Sequence, residues 1–572
     1  MGSAPNFTEG IDCSTASRRP SQSPICTFVA FILESQLSCH ARLAKMSSGR
    51  RKGGVGYGRP TTAARGWIGD NGNHMELNGE QLTIEDVCAV SAEDVHPKMV
   101  KLAPAAVEKM ERSRAVVERL AAGDAPVYGV NTGVGLLADV RIAPADLDQL
   151  QRNVVRSHSA GVGDPLARAE VRAMMLIRAN VLAKGYSGIR PVVAERLCDL
   201  LNRGVTPRVP SQGSVGASGD LAPLAHMAAV LIGEGEAEFE GAVYAGGEAL
   251  RRAGLEPLTL RAKEGISLIN GTQAMLAIGC LEVAAAEILA DSADVICAMT
   301  LDALRGTPRA FDPRLHAARP HPGQLESAAR LRQLLEGSEI RQSHITCRRV
   351  QDAYSLRCAP QVHGAVRDSL AEARRTFAIE LNAATDNPLV LDDEIVSGGN
   401  FHGEPLAFQL DYLAVALTAL AGISERRIDR LVNPALNEEL PAFLAGHPGL
   451  ESGLMMAQVT AAALVAENRV LSHPASSGSI TTSGNKEDFV SMGMTSALKY
   501  KNIVRNTRAV LAIEALSASR ALDLLKPLKS SLPIERVREC IRAVSAPLDG
   551  DRALHHDISA LEKLLACGSI RQ

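Results

Sequence analysis

The sequence predicts a mainly α-helical protein organised around a long central helix bundle. Three observations lead there. Apolar residues make up 46% of the 572-residue chain but aromatics only 3%, and a core dominated by Ala, Leu and Val favours interlocking helices over a β-sandwich or barrel. From about Met75 onward, helical patterns alternate with short Gly- and Pro-containing loops. Two stretches, 407–430 and 453–471, keep apolar residues at i, i+3, i+4 and i+7 with no internal proline, as long helices do.

The elements follow in chain order. Residues 1–74 are Ser-, Gly- and Arg-rich, poor in acids and without sustained periodicity. They read as a disordered extension or an over-extended translation start, with Met46 or Met75 as initiator, and a transit peptide fits the composition as well. The early apolar run 26–33 is far shorter than the roughly 20 residues of a membrane span. Pro104 to Leu120 predicts a helix with its proline in the tolerated first turn. Asp220, followed by Pro223 and the apolar run 224–232, predicts a capped helix start. The best strand signals, 238–245 and 389–396, predict short hairpins. A soft boundary near 301–308 divides a 75–305 domain from a 306–572 helical bundle domain. Helices apolar over so much of their circumference would leave large exposed patches on a monomer, which predicts homo-oligomerisation.

Composition narrows the function classes. A net charge of −3 gives no basic footprint for nucleic acid. The 11 cysteines are scattered, with no Cys-x-x-Cys pair, which predicts reduced thiols in a cytoplasmic protein and neither a disulfide framework nor a metal site.

The chemistry is concentrated in Gly213-Ser214-Val215-Gly216-Ala217-Ser218-Gly219-Asp220. Attack of the Gly219 nitrogen on the Ala217 carbonyl carbon, with loss of two waters, makes a five-membered ring bearing an exocyclic methylidene, a conjugate acceptor built from backbone. Each residue type is needed: Gly219 reaches the compressed geometry because it lacks a Cβ, Ser218 carries the hydroxyl to be lost, and Ala217 is small. The alternative is a Gly-rich loop ahead of a core helix. A nucleophile elbow requires Gly-x-Ser-x-Gly, and here the second glycine falls one position early. The 129–135 glycine run lacks the spacing of a dinucleotide fingerprint, and no Walker motif is present.

The 213–224 string resembles the cyclisation segment of the histidine and aromatic amino acid ammonia-lyases, which carry 4-methylidene-imidazol-5-one (MIO). The resemblance runs from about Met75 to the end of the chain and implies the histidase/fumarase-like bundle fold, a homotetramer with active sites shared between subunits, and no external cofactor. Tyr128-Gly129-Val130-Asn131-Thr132-Gly133 resembles the family's mobile tyrosine loop, which makes Tyr128 a catalytic residue. Ser157-His158 stands three before Gly161 in the register of the histidine-specific members, where tyrosine-specific ones carry His-Leu one position earlier. Asn270, in 263–273, matches an asparagine beside the modified ring. In 350–362, Arg357 matches the clamp for the substrate carboxylate, and Tyr354 and Gln351 match polar residues around the reacting centre. Tyr354 and Arg357, three apart, share a face if this stretch is helical. Phe401 matches a phenylalanine packed near the ring, and Glu487 the glutamate that pairs with the substrate imidazole. The implied activity is elimination of ammonia from L-histidine to give trans-urocanate, with Tyr128 or Glu487 as the base. Two positions depart from the histidine-specific pattern: Lys486 and Phe489 stand where Gln and His are common, which bears on the substrate. The other readings are an aromatic ammonia-lyase or aminomutase, and a non-catalytic helical scaffold.

Overall fold

Long proline-free runs of Ala, Leu and Val become long helices. The computed structural model describes residues 74–92, 99–346, 350–437 and 439–571; the extension, apart from His74, and the 26–33 run lie outside the described residues. Five helices make the centre: Gln273–Ala303, Ala359–Glu380, Glu404–Val432, Met455–Leu471 and Gly493–Leu524. They pack along one another, and the last, with 32 residues, runs about 48 Å at 1.5 Å per residue. Both periodic stretches are therefore bundle helices, and the fold is mainly α as the composition predicts. The Gln273–Ala303 helix carries the chain from the site-bearing part into the bundle. At Gly279, within that helix, a Cβ would stand 3.0 Å from the Phe377 ring and 3.4 Å from Leu410; the missing side chain lets three helices meet.

Strands are short and peripheral. His74–Leu77 pairs in parallel with Met99–Leu102, and the Pro104–Ala121 helix follows with its proline in the first turn. Both expected hairpins form, as Glu236–Phe239 with Ala242–Ala245 and Leu389–Leu391 with Glu394–Val396.

A polar seam fixes the register of the bundle. Glu514 accepts from Arg427 Nε (2.5 Å) and Nη2 (2.8 Å), from Thr300 (2.8 Å) and from Ser424 (2.6 Å). Arg427 Nη1 donates to His363 Nε2 at 3.3 Å, and His363 Nδ1 donates to Asp294 at 2.8 Å. Ser327 and Arg367 complete the Asp294 carboxylate at 2.6 and 2.7 Å. Burial works against ionised Asp294, but the bonds from His363 and the charge of Arg367 outweigh it and hold the carboxyl well below its usual range. Buried charges persist only when paired in this way. Gln273–Ala303 and Glu404–Val432 are long and apolar enough to cross a membrane; here both carry members of the seam and pack as core helices of the bundle.

Candidate active site

The 213–220 segment is held from two sides. Strand Val162–Pro165 pairs with Pro210–Gln212, which delivers the chain to Gly213. Gly216 and Gly219 lie at φ 68° and 72°, the left-handed region that favours glycine. At Gly219 glycine is required twice over, because a Cβ would be driven into the Gly271 carbonyl. Across that contact Asp220 N donates to Gly271 O (2.6 Å) and Gly271 N donates to Ser218 O (3.2 Å). On the other side Met492 N donates to Val215 O at 2.8 Å, and Ser491 Oγ to Gly216 O at 3.0 Å.

Asp220 corrects the local expectation. It stands at the start of Leu221–Leu231 but its side chain makes no cap there. Its carboxylate instead accepts from Ala274 N (2.8 Å) and Met275 N (2.9 Å) in the first turn of Gln273–Ala303, whose own leading residue Thr272 supplies no side-chain cap. The longer bundle helix has taken the acceptor. Burial pushes the Asp220 carboxyl up to about 7, against these backbone bonds and one from Ser214.

A pocket of about 480 Å³ opens over this segment, and Tyr128, Ala217, Ser218, Asn270, Phe401 and Glu487 all line it. Ser218 Oγ donates to Glu487 Oε1 at 3.2 Å, and Thr482 Oγ1 donates to Oε2 at 2.6 Å. Asn270 ends the Glu264–Ile269 helix; its Nδ2 donates to Asn387 O at 2.8 Å, while its Oδ1 is buried without a partner. Beneath it, Arg178 Nη1 donates to Asn270 O (2.9 Å) and Gln273 Oε1 (2.8 Å), and Lys263 Nζ donates to Ser267 Oγ (2.9 Å) and Asp386 (3.3 Å). Burial pulls Arg178 down to about 10. Burial also opposes ionised Asp386, but the Lys263 and Arg178 charges prevail and keep its carboxyl low. The Tyr128 loop is pinned by Asn131, whose Oδ1 accepts from Val127 N (2.7 Å) and whose Nδ2 donates to Ala125 O (3.0 Å).

The two departures from the family pattern face the same space, since Lys486 and Phe489 both line the pocket. Phe489 stacks on His402 with ring centroids 6.1 Å apart, and His402 Nε2 lies 3.3 Å from Phe489 O. His402, Thr482 and Asn387 were not singled out from sequence. His402 adjoins Phe401 in a motif already noted; Thr482 and Asn387 carry no local signal.

The remaining expected residues are not brought to this pocket within the chain. Ser157 and His158 end the Leu147–His158 helix, where His158 Nδ1 bonds Val154 O at 2.8 Å. Gln351 is exposed. Tyr354 and Arg357 form the short Tyr354–Arg357 helix and share a face, the guanidinium lying 4.6 Å from the Tyr354 ring centroid. Tyr354 is 71% exposed, and Arg357 Nε has no hydrogen-bond partner.

These residues fit a group made from Ala217-Ser218-Gly219: position 219 admits no Cβ, the Ser218 hydroxyl faces a carboxylate, and Asn270, with its orphaned amide oxygen, lines the same pocket. Fold and site together define a lyase of the amino acid ammonia-lyase kind. Residues 82–543 match the aromatic amino acid lyase family, and the chain belongs to that family. It is 59% identical over 510 residues to a histidine ammonia-lyase of Koribacter versatilis (strain Ellin345), covering 87% of this chain and 98% of that relative. Among solved structures it resembles histidine ammonia-lyase from Trypanosoma cruzi, with 44% identity, TM-score 0.80, and 86% and 94% of the two chains covered. It also resembles tyrosine aminomutase from Streptomyces globisporus, with 40% identity, TM-score 0.81, and 87% and 97% covered.

Proposed function

We propose that this protein is a carbon–nitrogen lyase that eliminates ammonia from L-histidine to give trans-urocanate, using MIO formed from Ala217-Ser218-Gly219 and no external cofactor. The observation that carries the reading is Ser218 facing Glu487 at 3.2 Å in a pocket, on a backbone that only glycine at 219 can take. When formed, the group supplies the electrophile that activates the substrate for loss of ammonia. Asn270, with its unpaired Oδ1, orients the substrate amine. Tyr128 and Glu487 flank the reacting carbon, and one of them removes the β-proton. Phe401 packs beside the substrate. The register of Ser157-His158 and the likeness to the Koribacter relative support histidine as the substrate, with Glu487, which lines the pocket, holding its imidazole.

Gln351, Tyr354 and Arg357 reach substrate from a second subunit, where Arg357 clamps the α-carboxylate. Supporting this, all three lie outside the pocket of their own chain. The Glu404–Val432 helix also presents Phe408, Tyr412 and Val415 outward, 57%, 57% and 49% exposed, an apolar stripe suited to a homotetramer interface. None of the seven described cysteines is in a disulfide, which suits the cytoplasm.

The test is turnover of L-histidine, followed by urocanate absorbance and free ammonium, with Ser218→Ala as the paired variant. Turnover in wild type and its loss in a folded Ser218→Ala protein are expected. Wild-type activity in the variant would remove the electrophile from the mechanism, and a β-amino acid product would make the enzyme an aminomutase.

A further inference from the structure

We propose that Glu487 also catalyses the chain's own maturation, moving the proton that carries the Ser218 hydroxyl away as water, with Thr482 as its positioning residue. The proposal rests on the reading that Ala217-Ser218-Gly219 cyclises.

Ser218 must lose a hydroxyl, and hydroxide leaves carbon poorly unless protonated. The group bonded to that hydroxyl is Glu487, whose Oε1 lies 3.2 Å from Ser218 Oγ. Of the remaining polar neighbours, two are committed or lack a suitable proton, and Tyr128 and Lys486, which also line the pocket, make no bond to the Ser218 hydroxyl. Asp220, adjacent in sequence, spends its carboxylate on Ala274 N and Met275 N. Asn270 carries an amide, which does not exchange a proton at this step. Glu487 is also held in one orientation. Thr482 Oγ1 donates to Oε2 at 2.6 Å, and Thr482 N donates to Glu487 O at 3.0 Å across the turn between them. With Oε2 occupied as an acceptor, Oε1 is the oxygen that shares a proton with Ser218.

The atoms balance without an oxidant or other co-reactant. The first water takes the Ala217 carbonyl oxygen and the amide protons of Ser218 and Gly219 as the Gly219 N to Ala217 C bond forms. In the second loss, the Ser218 Cα–H bond breaks and its electron pair forms the Cα=Cβ bond. The Cβ–Oγ bond breaks with its pair going to oxygen. Glu487 takes a proton from solvent at Oε1 and passes it to Oγ, water departs, and the Cα proton goes to solvent, leaving the carboxylate as it began. Departure of the hydroxyl then frees Oε1 toward the pocket, where the same carboxylate meets substrate.

The experiment is a time course of intact mass on the full-length chain made by pulsed cell-free translation, with circular dichroism to verify folding, for wild type, Glu487→Gln, Thr482→Val and Thr482→Ser. Wild type should lose the mass of two waters; if it does not, the cyclisation reading itself fails. Given that loss, Glu487→Gln should remain folded and lose the serine-derived water on the order of 10²-fold more slowly, as expected for removal of a general acid. Thr482→Val should slow the same loss and shift its pH profile, and Thr482→Ser should restore both. Glu487→Gln maturing at the wild-type rate would overturn the proposal while leaving the electrophile intact. Should Glu487→Gln fail to fold, Thr482→Val decides: a wild-type rate and an unchanged pH profile overturn it.

Discussion

Gly219→Ala is the sharpest perturbation of this site. At φ 72° an alanine pays about 1–2 kcal/mol for the left-handed conformation alone. Its methyl would also be driven into the Gly271 carbonyl and come within 2.8 Å of Gly271 Cα, and backbone cannot swing aside as a side chain does. Relief requires the two segments to part, which removes the bonds from Asp220 N to Gly271 O (2.6 Å) and from Gly271 N to Ser218 O (3.2 Å). At about 1 kcal/mol net for each bond, the whole change costs roughly 3–4 kcal/mol. Urea unfolding, intact mass and histidine turnover measure the consequences: a lower midpoint, retention of the two-water mass and loss of product. Gly399→Ala is the control, since Gly399 lines the same pocket but a Cβ there meets nothing within 4 Å. A Gly219→Ala protein with wild-type mass deficit and midpoint would refute the argument that this backbone requires glycine.

Three other perturbations test different parts of the structure. Glu514→Gln strands Arg427 as a buried charge and should cost about 3–5 kcal/mol in urea unfolding, whereas Arg427→Met with Glu514→Leu should recover part of it; a loss below about 1 kcal/mol would show the seam to be dispensable. Burial, with the Glu170 charge against Arg508 and Lys501, raises the Glu282 carboxyl to about 7. Its raised value contributes stability present below the ordinary value near 4.5 and lost as pH climbs through about 7, because the unfolded chain releases the proton first. Glu282→Gln should therefore raise the thermal midpoint more at pH 8 than at pH 5, and an equal effect at both would contradict the shift. Ser218→Ala and Arg357→Met should each be inactive alone. Co-expressed, they should recover about a quarter of wild-type activity, the chance that random pairing supplies both intact residues to a shared site, and no recovery would place Arg357 in the same subunit's site.

What was legible in the sequence is what local physics controls. The bundle helices follow from apolar period and absence of proline, the hairpins from short β-rich runs, and the shared face of Tyr354 and Arg357 from their spacing. Glycine at 219 was legible as a need for freedom, but the reason it is absolute, the Gly271 carbonyl, is 52 residues away in the chain and has no local trace. Asp220 shows the limit most clearly. Capping grammar assigns it to the helix that follows it, yet a buried acceptor goes to whichever orphan N–H groups lie nearest in space, and those belong to Gln273–Ala303. The polar seam was hidden for the same reason: Arg427, His363, Asp294 and Glu514 are ordinary helix residues until four helices bring them together. His158, Gln351 and Arg357 pose a different problem, since their expected partner is a substrate, and for Gln351 and Arg357 a second copy of the chain.

The Asp220 exchange also explains how the 213–220 loop is kept in place. The Gln273–Ala303 helix has 31 residues, about 46 Å at the usual rise. Its first turn grips Asp220, immediately after Ala217-Ser218-Gly219, and its far half supplies Asp294 and Thr300 to the seam. Gly271, just before its first turn, closes the contact over Gly219. The triplet and Asn270 are thus positioned by the bundle itself, on an element whose other end is anchored by buried ion pairs, and such a support holds reacting groups more closely than a loop does. Tyr128 is placed otherwise, on a turn secured by Asn131 to its own neighbours. The division suits the proposed chemistry: a backbone that is to condense has to be held rigidly from both sides, whereas Tyr128, proposed to act on substrate, sits on a separate turn that does not share that support.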